Sequence, residues 1–171
     1  MCGAASIDKT WGFRMRGFIA YCKSTLLVGT FLLGTTLAAD TDYSTLDPKA
    51  ITVKLPNELQ FKGTGRGAEQ IVLAGDPAKP GLYVILIKWN PNSNSRPHFH
   101  PNDRFITVLS GTWWVASGRK YDPASMKPVP AGSFVVHTAN EVHYDGAKDG
   151  EAVLQIVGMG PATATSAEDK N

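Results

Sequence analysis

The sequence has few cysteines and few charges, and each shortage limits the class of protein that it encodes. Only two cysteines occur among 171 residues, Cys2 and Cys22. The chain beyond them has no thiol, which excludes disulfides and cysteine-ligated metal sites there. Charged residues make up 19% and hydrophobic residues 43% of the chain, with 17 Gly and 11 Pro. This composition is typical of one globular domain with many turns and excludes a wholly disordered chain.

The excess of basic over acidic residues lies at the N-terminus. Four of the 17 Lys and Arg lie in the first 23 residues, together with one of the 15 acidic residues. From Asp40 onward the chain therefore carries 13 basic and 14 acidic residues. This balance offers no basic surface, so we expect no nucleic-acid partner.

The first 39 residues have the organisation of a signal peptide. A basic stretch ends at Lys23, an apolar run covers residues 25–37, and Ala38 and Ala39 precede Asp40. The run is shorter than the roughly 20 residues that span a bilayer, so we expect cleavage and no stable membrane anchor. We predict a periplasmic or extracellular protein that begins with a polar segment over residues 40–50.

From residue 51 onward, short β-rich runs alternate with turn residues, and no long helical period is present. We predict strands over residues 51–54, 59–62, 70–73, 82–89, 105–109, 112–116, 133–137 and 152–157. This spacing predicts an all-β fold, either a sandwich or a closed barrel, over residues 51–160. The small polar residues of 161–171 are expected to form a mobile C-terminal tail.

The four histidines of the chain all lie between residues 98 and 143. His98 and His100 are two residues apart, which places both on one face of a strand. His143 follows the strand predicted at 133–137 and a turn, so a neighbouring strand can bring it to the same point. His137 has three open interpretations: a further metal ligand, a hydrogen-bond donor behind the ligands, or a core residue.

Imidazole ligates Zn, Fe, Mn, Ni and Cu, so the histidine cluster predicts one divalent metal ion without selecting its identity. His98, His100 and His143 are the first candidates for its ligands, and His137 is the fourth. If only His98 and His100 are considered, the alternative to metal ligation is that they are two exposed histidines without a functional role. A third histidine, His143, that a neighbouring strand can bring to the same point favours the metal.

Around these histidines the sequence resembles the cupin superfamily. The first cupin motif, G(x)5HxH(x)3-4E(x)6G, is matched by His98, His100 and Gly111, with Asn92 at the opening glycine and Arg104 at the glutamate. The second motif, G(x)5PxG(x)2H(x)3N, is matched by Gly132 and His143, with Thr138, Asn140 and Ala147 at the other positions. The segment 98–112 is also similar to small single-domain bacterial cupins of unassigned activity. The resemblance implies one RmlC-like β-barrel, a jelly-roll-like double-stranded β-helix, over residues 51–160.

Arg104 stands where the resemblance places a metal-ligating glutamate. A guanidinium stays protonated and cannot ligate a metal. Strand parity directs residue 104 to the interior, so its charge needs a negative partner from Asp103, Glu141, Asp145 or a bound anion. Arg104 therefore anchors a substrate carboxylate or oxyanion, forms a structural ion pair, or belongs to a barrel that has lost its metal.

The aromatic residues Trp113, Trp114, Phe134 and Tyr144 either line a pocket or belong to the core. We take Tyr144, beside His143, together with Arg104 as the candidates for substrate binding. No catalytic residue can be named from the sequence.

Two functions are compatible with this sequence. Three imidazoles leave coordination positions open, as a metal-dependent enzyme acting on a small organic molecule requires. Among cupins, that implies an oxygenase, an isomerase or a lyase. The alternative is a non-catalytic barrel that binds a small ligand or a metal. A homodimer formed through open strands near Ile51 and Leu59 is a further expectation.

Overall fold

The computed structural model describes residues 42–170. The predicted signal peptide, residues 1–39, lies outside them. Within residues 42–170 no helix has the length and apolar character needed to cross a membrane. Residues from Leu46 onward form one folded unit.

The described part of the chain is built from β-strands and two short 3-10 helices. The strands are β1 (Lys62–Gly63), β2 (Ala68–Ala74), β3 (Gly81–Trp89), β4 (Ser93–Asn94), β5 (His98–Phe99), β6 (Arg104–Ser117), β7 (Lys127–Pro130), β8 (Phe134–His137), β9 (His143–Ala147), β10 (Ala152–Gly160) and β11 (Thr165–Ser166). The 3-10 helices span Pro56–Glu58 and Pro123–Ser125. The all-β prediction is confirmed.

The strands form two antiparallel sheets that share β6. In the first sheet the order is β1, β2, β3, β10, β6 and β8. In the second sheet, the later part of β6 pairs with β7 and with β9. Strands β4 and β5 pair with β9, and β11 pairs with β5. The second sheet therefore collects the segments that carry His98 and His143.

Strand β6 changes sheets at Gly111. This residue has a φ of +73°, and an added Cβ would lie 2.0 Å from the carbonyl oxygen of Glu151. Glycine alone tolerates both the conformation and the close approach. The sequence predicted two strands, 105–109 and 112–116, with a turn between them. The structure has a single strand of 14 residues, because Gly111 redirects the chain while it stays paired with Ala152.

Asparagines at two glycine positions of the cupin motifs have left-handed backbone conformations. Asn92 has a φ of +57° and Asn140 a φ of +63°, and no other non-glycine residue in the described range has a positive φ. Asparagine enters this left-handed region more readily than most residues, because its short side chain can hydrogen-bond locally. Both asparagines therefore form turns shortly before His98 and His143.

The hydrophobic core lies on the inner face of the first sheet and continues to the inner face of the second. Alternate residues of β3, β10 and β6 point inward and are almost fully buried. The buried members are Ala68, Tyr83, Ile85, Ile87, Trp89, Ile106, Val108, Trp113, Ala147, Ala152, Leu154 and Ile156. The same inner faces line the cavity described below, so the core and the candidate site share one wall.

The first two predicted strands are wrong except for one residue. Residues 51–54 form no strand, and of residues 59–62 only Lys62 lies in one, β1. The β-branched residues of 51–54 satisfy the strand pattern, but no neighbouring strand pairs with them. Propensity alone does not form a strand without a partner.

The segment that we expected to be a mobile tail instead packs against the barrel. Strand β11 pairs with β5, which places Ser166 opposite His98. Ala167 is buried, and Glu168 forms an ion pair with Arg96. Backbone hydrogen bonds attach this segment, and small polar residues form them as well as apolar ones do. Composition was therefore a poor guide to its order.

Candidate metal centre

Three of the four histidines converge where β5 and β9 lie side by side. His98 on β5 is directly opposite His143 on β9, and His100 follows β5 by one residue. The ligand atoms of these three side chains all lie within 4.8 Å of one another. Their ring centroids are 4.6 to 5.4 Å apart. The pairing of two strands thus joins residues that are 45 positions apart in the chain.

A backbone carbonyl oxygen fixes the orientation of each of the three imidazoles. The Nδ1 atoms of His98, His100 and His143 lie 2.8, 2.8 and 3.0 Å from the carbonyl oxygens of Arg96, Thr163 and Glu141. A carbonyl oxygen can only accept, so each Nδ1 carries the hydrogen and each Nε2 keeps its lone pair. Such hydrogen bonds from the second ring nitrogen are typical of histidines that ligate metals.

The surroundings favour the neutral form of His100 and His143. Burial, with a smaller contribution from the charge of Arg104, lowers the pKa of His100 to about 3. Burial also lowers the pKa of His143, although the nearby carboxylate of Asp145 acts in the opposite direction. Neutral imidazole is the form that binds metals. The Nε2 atom of His143 is buried and has no hydrogen-bond partner among the described residues, so a metal ion would satisfy it.

His137 packs behind the three histidines. It lies on β8 opposite Arg104, and its ring centroid is 3.7 Å from that of His143 and 5.3 Å from that of Trp113. Burial lowers the pKa of His137, with the neighbouring His143 as a second cause. The group of potential ligand atoms contains His98, His100 and His143 but not His137. The structure therefore brings together three of the four predicted ligands. His137 lies behind them, and its buried Nδ1 has no hydrogen-bond partner within residues 42–170.

Arg104 points toward the histidines. One of its guanidinium nitrogens, Nη1, donates to Nε2 of His100, while its Nε is buried without a partner in the described part of the chain. None of the ion pairs within residues 42–170 includes Arg104. The carboxylate of Asp103 instead accepts a hydrogen bond of 2.7 Å from the backbone of Ala139. The structural ion pair with Asp103 or Glu141, one of the sequence interpretations, is not formed.

A buried carboxylate lies on the same face of β9 as His143. Asp145 is two residues further along the strand and only 8% exposed. Its oxygens accept hydrogen bonds from the hydroxyl of Ser95 at 2.8 Å and from the indole nitrogen of Trp113 at 3.1 Å. Sequence reasoning considered Asp145 only as a possible counter-charge. Its spacing from His143 was the signal for a place in the site, because residues two apart on a strand share a face.

Tyr144 is directed away from the histidines. Its hydroxyl donates to the carbonyl oxygen of Asp122 at 3.1 Å and lies 2.9 Å from the hydroxyl of Ser125. It does not line the cavity. Adjacent residues of a strand point to opposite faces, so Tyr144 cannot share the orientation of His143. We therefore withdraw Tyr144 as a substrate-binding residue and assign it to the support of the 3-10 helix at Pro123–Ser125.

A cavity of about 940 Å³ opens beside the histidines. One part of its wall is polar and contains His98, His100, Arg104 and Asp145. Another part is apolar and contains Ile85, Ile87, Leu154 and Ile156. Residues of the C-terminal segment, including Thr163 and Ser166, complete the lining. Its volume lies within the range of sites for small organic molecules, roughly 300 to 1,000 Å³.

No family model matches the sequence, and a search of curated proteins also finds no match. Solved structures do resemble it. The polyketide cyclase RemF from Streptomyces resistomycificus is 15% identical, with 71% of this chain and 88% of that chain covered and a TM-score of 0.59. A protein with a double-stranded β-helix domain from Klebsiella pneumoniae is 18% identical, with coverages of 68% and 97% and a TM-score of 0.53. A cupin-2 domain from Rhodospirillum rubrum is 13% identical, with coverages of 71% and 81% and a TM-score of 0.52.

Proposed function

The chain has the cupin fold, and we propose that it binds one divalent transition-metal ion through the Nε2 atoms of His98, His100 and His143. The observation that supports this proposal is that a backbone carbonyl oxygen fixes each of the three imidazoles, with Nδ1 at a distance of 2.8 to 3.0 Å. One potential ligand atom of each of the three side chains lies within 4.8 Å of the other two. Binding of a metal by His100 requires Nη1 of Arg104 to release the Nε2 atom to which it donates in the structure. Three nitrogen ligands fit Zn, Fe, Mn, Ni or Cu and leave further coordination positions for water or a ligand.

We propose further that the cavity holds a small organic anion beside the metal. Arg104 is a positive charge without an ion-pair partner among the described residues, and its Nε has no acceptor there. A carboxylate would satisfy this donor and balance the charge. The apolar wall at Ile87, Leu154 and Ile156 suits a hydrocarbon body on the same molecule. When bound, the metal would supply Lewis acidity toward such a ligand.

Metal analysis tests the first part of the proposal. Protein purified without a histidine tag should contain, or take up, one equivalent of metal per chain. His100→Ala should abolish this uptake, whereas His137→Gln is the matched control and should retain it, because His137 lies outside the ligand group. Circular dichroism would verify that both variants fold. Uptake of a full equivalent by His100→Ala, or no uptake of any of the five metals by the unchanged protein, would contradict the metal centre.

A screen for oxygen uptake and product formation with small carboxylates and phenols separates the metal-dependent enzyme from the non-catalytic binding barrel. Both functions use the same centre, so turnover is the distinguishing measurement. Export is proposed from residues 1–39 alone: mass spectrometry of the exported protein should find a chain that begins near residue 40. A chain that still contains Cys22 would contradict cleavage.

A further inference from the structure

The cavity beside the histidines carries unpaired positive charge at two separate places. The charged residues that line it are Arg66, Arg96, Arg104 and Asp145. Arg96 is paired with Glu168, and Asp145 accepts the two hydrogen bonds described above. Arg66 and Arg104 take part in none of the ion pairs within residues 42–170. Two guanidinium groups in one cavity therefore have no acidic partner in the described part of the chain.

The strand register places Arg66 and Arg104 near opposite corners of the first sheet. Arg104 on β6 is level with Tyr83 on β3, through the β10 residue that pairs with both. Arg66 precedes Ala68 by two residues, and Ala68 on β2 is opposite Trp89, six residues beyond Tyr83. The two positions therefore differ by about 20 Å along the strands, at roughly 3.3 Å per residue, and by up to about 14 Å across three strand spacings. Only an extended molecule can contact both guanidinium groups.

The wall between the two arginines is apolar. Between their levels, the inward residues of β3 are Ile85 and Ile87, and both line the cavity. On β10, Ile156 is opposite Ile85 and Leu154 is opposite Ile87, and these two also line the cavity. Contact with such a wall removes a hydrocarbon chain from water and favours its binding. The cavity thus offers a positive group, an apolar stretch and a second positive group in that order.

We propose that the cavity accepts an elongated organic dianion, with one anionic group at Arg104 and the other at Arg66. This inference rests on the proposed anion site beside the metal and specifies the ligand that occupies it. The Nε atom of Arg104 is buried, whereas Arg66 is exposed to solvent. Because water and salt screen an exposed charge, Arg66 contributes less to affinity than Arg104 and selects ligands by their length. A ligand with one anionic group, such as benzoate, uses Arg104 alone.

Isothermal titration calorimetry with sebacate and with monomethyl sebacate tests the proposal, on the protein with and without bound Zn²⁺. The two ligands have the same hydrocarbon chain, and the ester lacks one of the two negative charges. The unchanged protein should bind sebacate roughly 5- to 10-fold more tightly than the ester. Arg66→Gln should reduce this preference to the statistical advantage of a ligand with two equivalent ends, and should leave the affinity for the ester unchanged.

Lys62→Gln is the matched control. Lys62 is an exposed cation on β1, close to Arg66 in the chain, but it does not line the cavity. Its replacement should retain the preference for sebacate. Malonate is the control for ligand length: it is too short to contact both arginines, so Arg66→Gln should leave its affinity unchanged. Circular dichroism reports whether the variants fold.

The outcomes separate this proposal from the anion site on which it rests. If the unchanged protein binds the ester through Arg104 but shows no preference for sebacate, the dianion is wrong and the anion site remains. If it binds neither ligand, both are wrong. An equal loss of malonate and sebacate affinity in Arg66→Gln, or loss of the preference in Lys62→Gln, would show that surface charge acts only by long-range attraction, and would overturn the proposal.

Discussion

Replacement of Arg104 by Gln removes one positive charge from the cavity and keeps a shorter polar side chain at the same position. In the structure the Nη1 atom of Arg104 donates to Nε2 of His100, and its buried Nε has no partner in the described range. If Arg104 anchors an anion, the change should weaken the binding of carboxylates specifically. It should have little effect on neutral ligands, because the apolar wall of the cavity is unchanged.

The expected magnitude follows from the donor that is lost. A hydrogen bond to a charged group contributes about 1.5 to 3 kcal/mol, which corresponds to a dissociation constant roughly 10- to 150-fold higher. The effect on the metal has the opposite sign. Two unit charges 4 Å apart repel by about 4 kcal/mol at an effective dielectric constant near 20, so removal of the guanidinium should leave metal affinity unchanged or increase it.

Isothermal titration calorimetry of the metal-loaded protein with benzoate, and with neutral benzamide as the comparison ligand, measures both effects. Arg66→Gln is the matched control: Arg66 also lines the cavity, but it is exposed to solvent, so its loss should change benzoate affinity far less. Arg104→Lys should retain part of the affinity, because the charge remains while the planar donor pair is lost. If Arg104→Gln binds benzoate as tightly as the unchanged protein and only its urea midpoint falls, Arg104 is structural and the reasoning is wrong.

Two further predictions concern the C-terminal segment and pH. A chain that ends at Gly160 should keep the barrel, because the buried core residues precede this point. It should bind metal roughly 10- to 100-fold more weakly, because the carbonyl of Thr163 no longer orients His100. Thr163→Ala is the control: it keeps that carbonyl and should bind metal as tightly as the unchanged protein. A truncated chain with the metal affinity of the full-length chain would contradict the assigned role of the segment. The metal-free protein should lose stability below about pH 6.5, because the folded-state pKa of His100, about 3, lies below its value in the unfolded chain. The free energy of unfolding should fall by up to about 1.4 kcal/mol per pH unit because of this histidine. Measured by urea unfolding between pH 7 and 5, it should therefore depend less on pH in His100→Gln. The same pH dependence in both proteins would show that His100 does not contribute.

The histidines of the site were predictable because their signals are local. The spacing of His98 and His100 places them on the same side of the chain wherever the backbone is extended. The all-β class followed from short β-rich runs between turn residues, a pattern that does not require knowledge of strand partners. Asn92 and Asn140 have positive φ at glycine positions of the motifs, a conformation that asparagine tolerates as a single residue.

Tertiary structure decided the features that depend on partners distant in sequence. Residues 51–54 have strand propensity but no neighbouring strand, whereas β9, which contains Asp145 and Gly146, pairs with β4, β5 and β6 and forms despite weak propensity. The structure was needed to show that residues 143–147 form a strand, in which Tyr144 lies on the face opposite to His143.

Sequence alone therefore determined which residue types are available for a metal centre and the two-residue spacing of His98 and His100. It did not predict β5 and β9, the strands that carry His98 and His143. It did not determine that residues 161–170 would return to the barrel and place the carbonyl of Thr163 against His100. Backbone hydrogen bonds attach that segment to the barrel. Every residue except proline offers the same backbone donor and acceptor, so the amino-acid composition does not predict these hydrogen bonds. Only the folded chain shows which carbonyl meets which imidazole, because that pairing is a consequence of strand order rather than of side-chain identity.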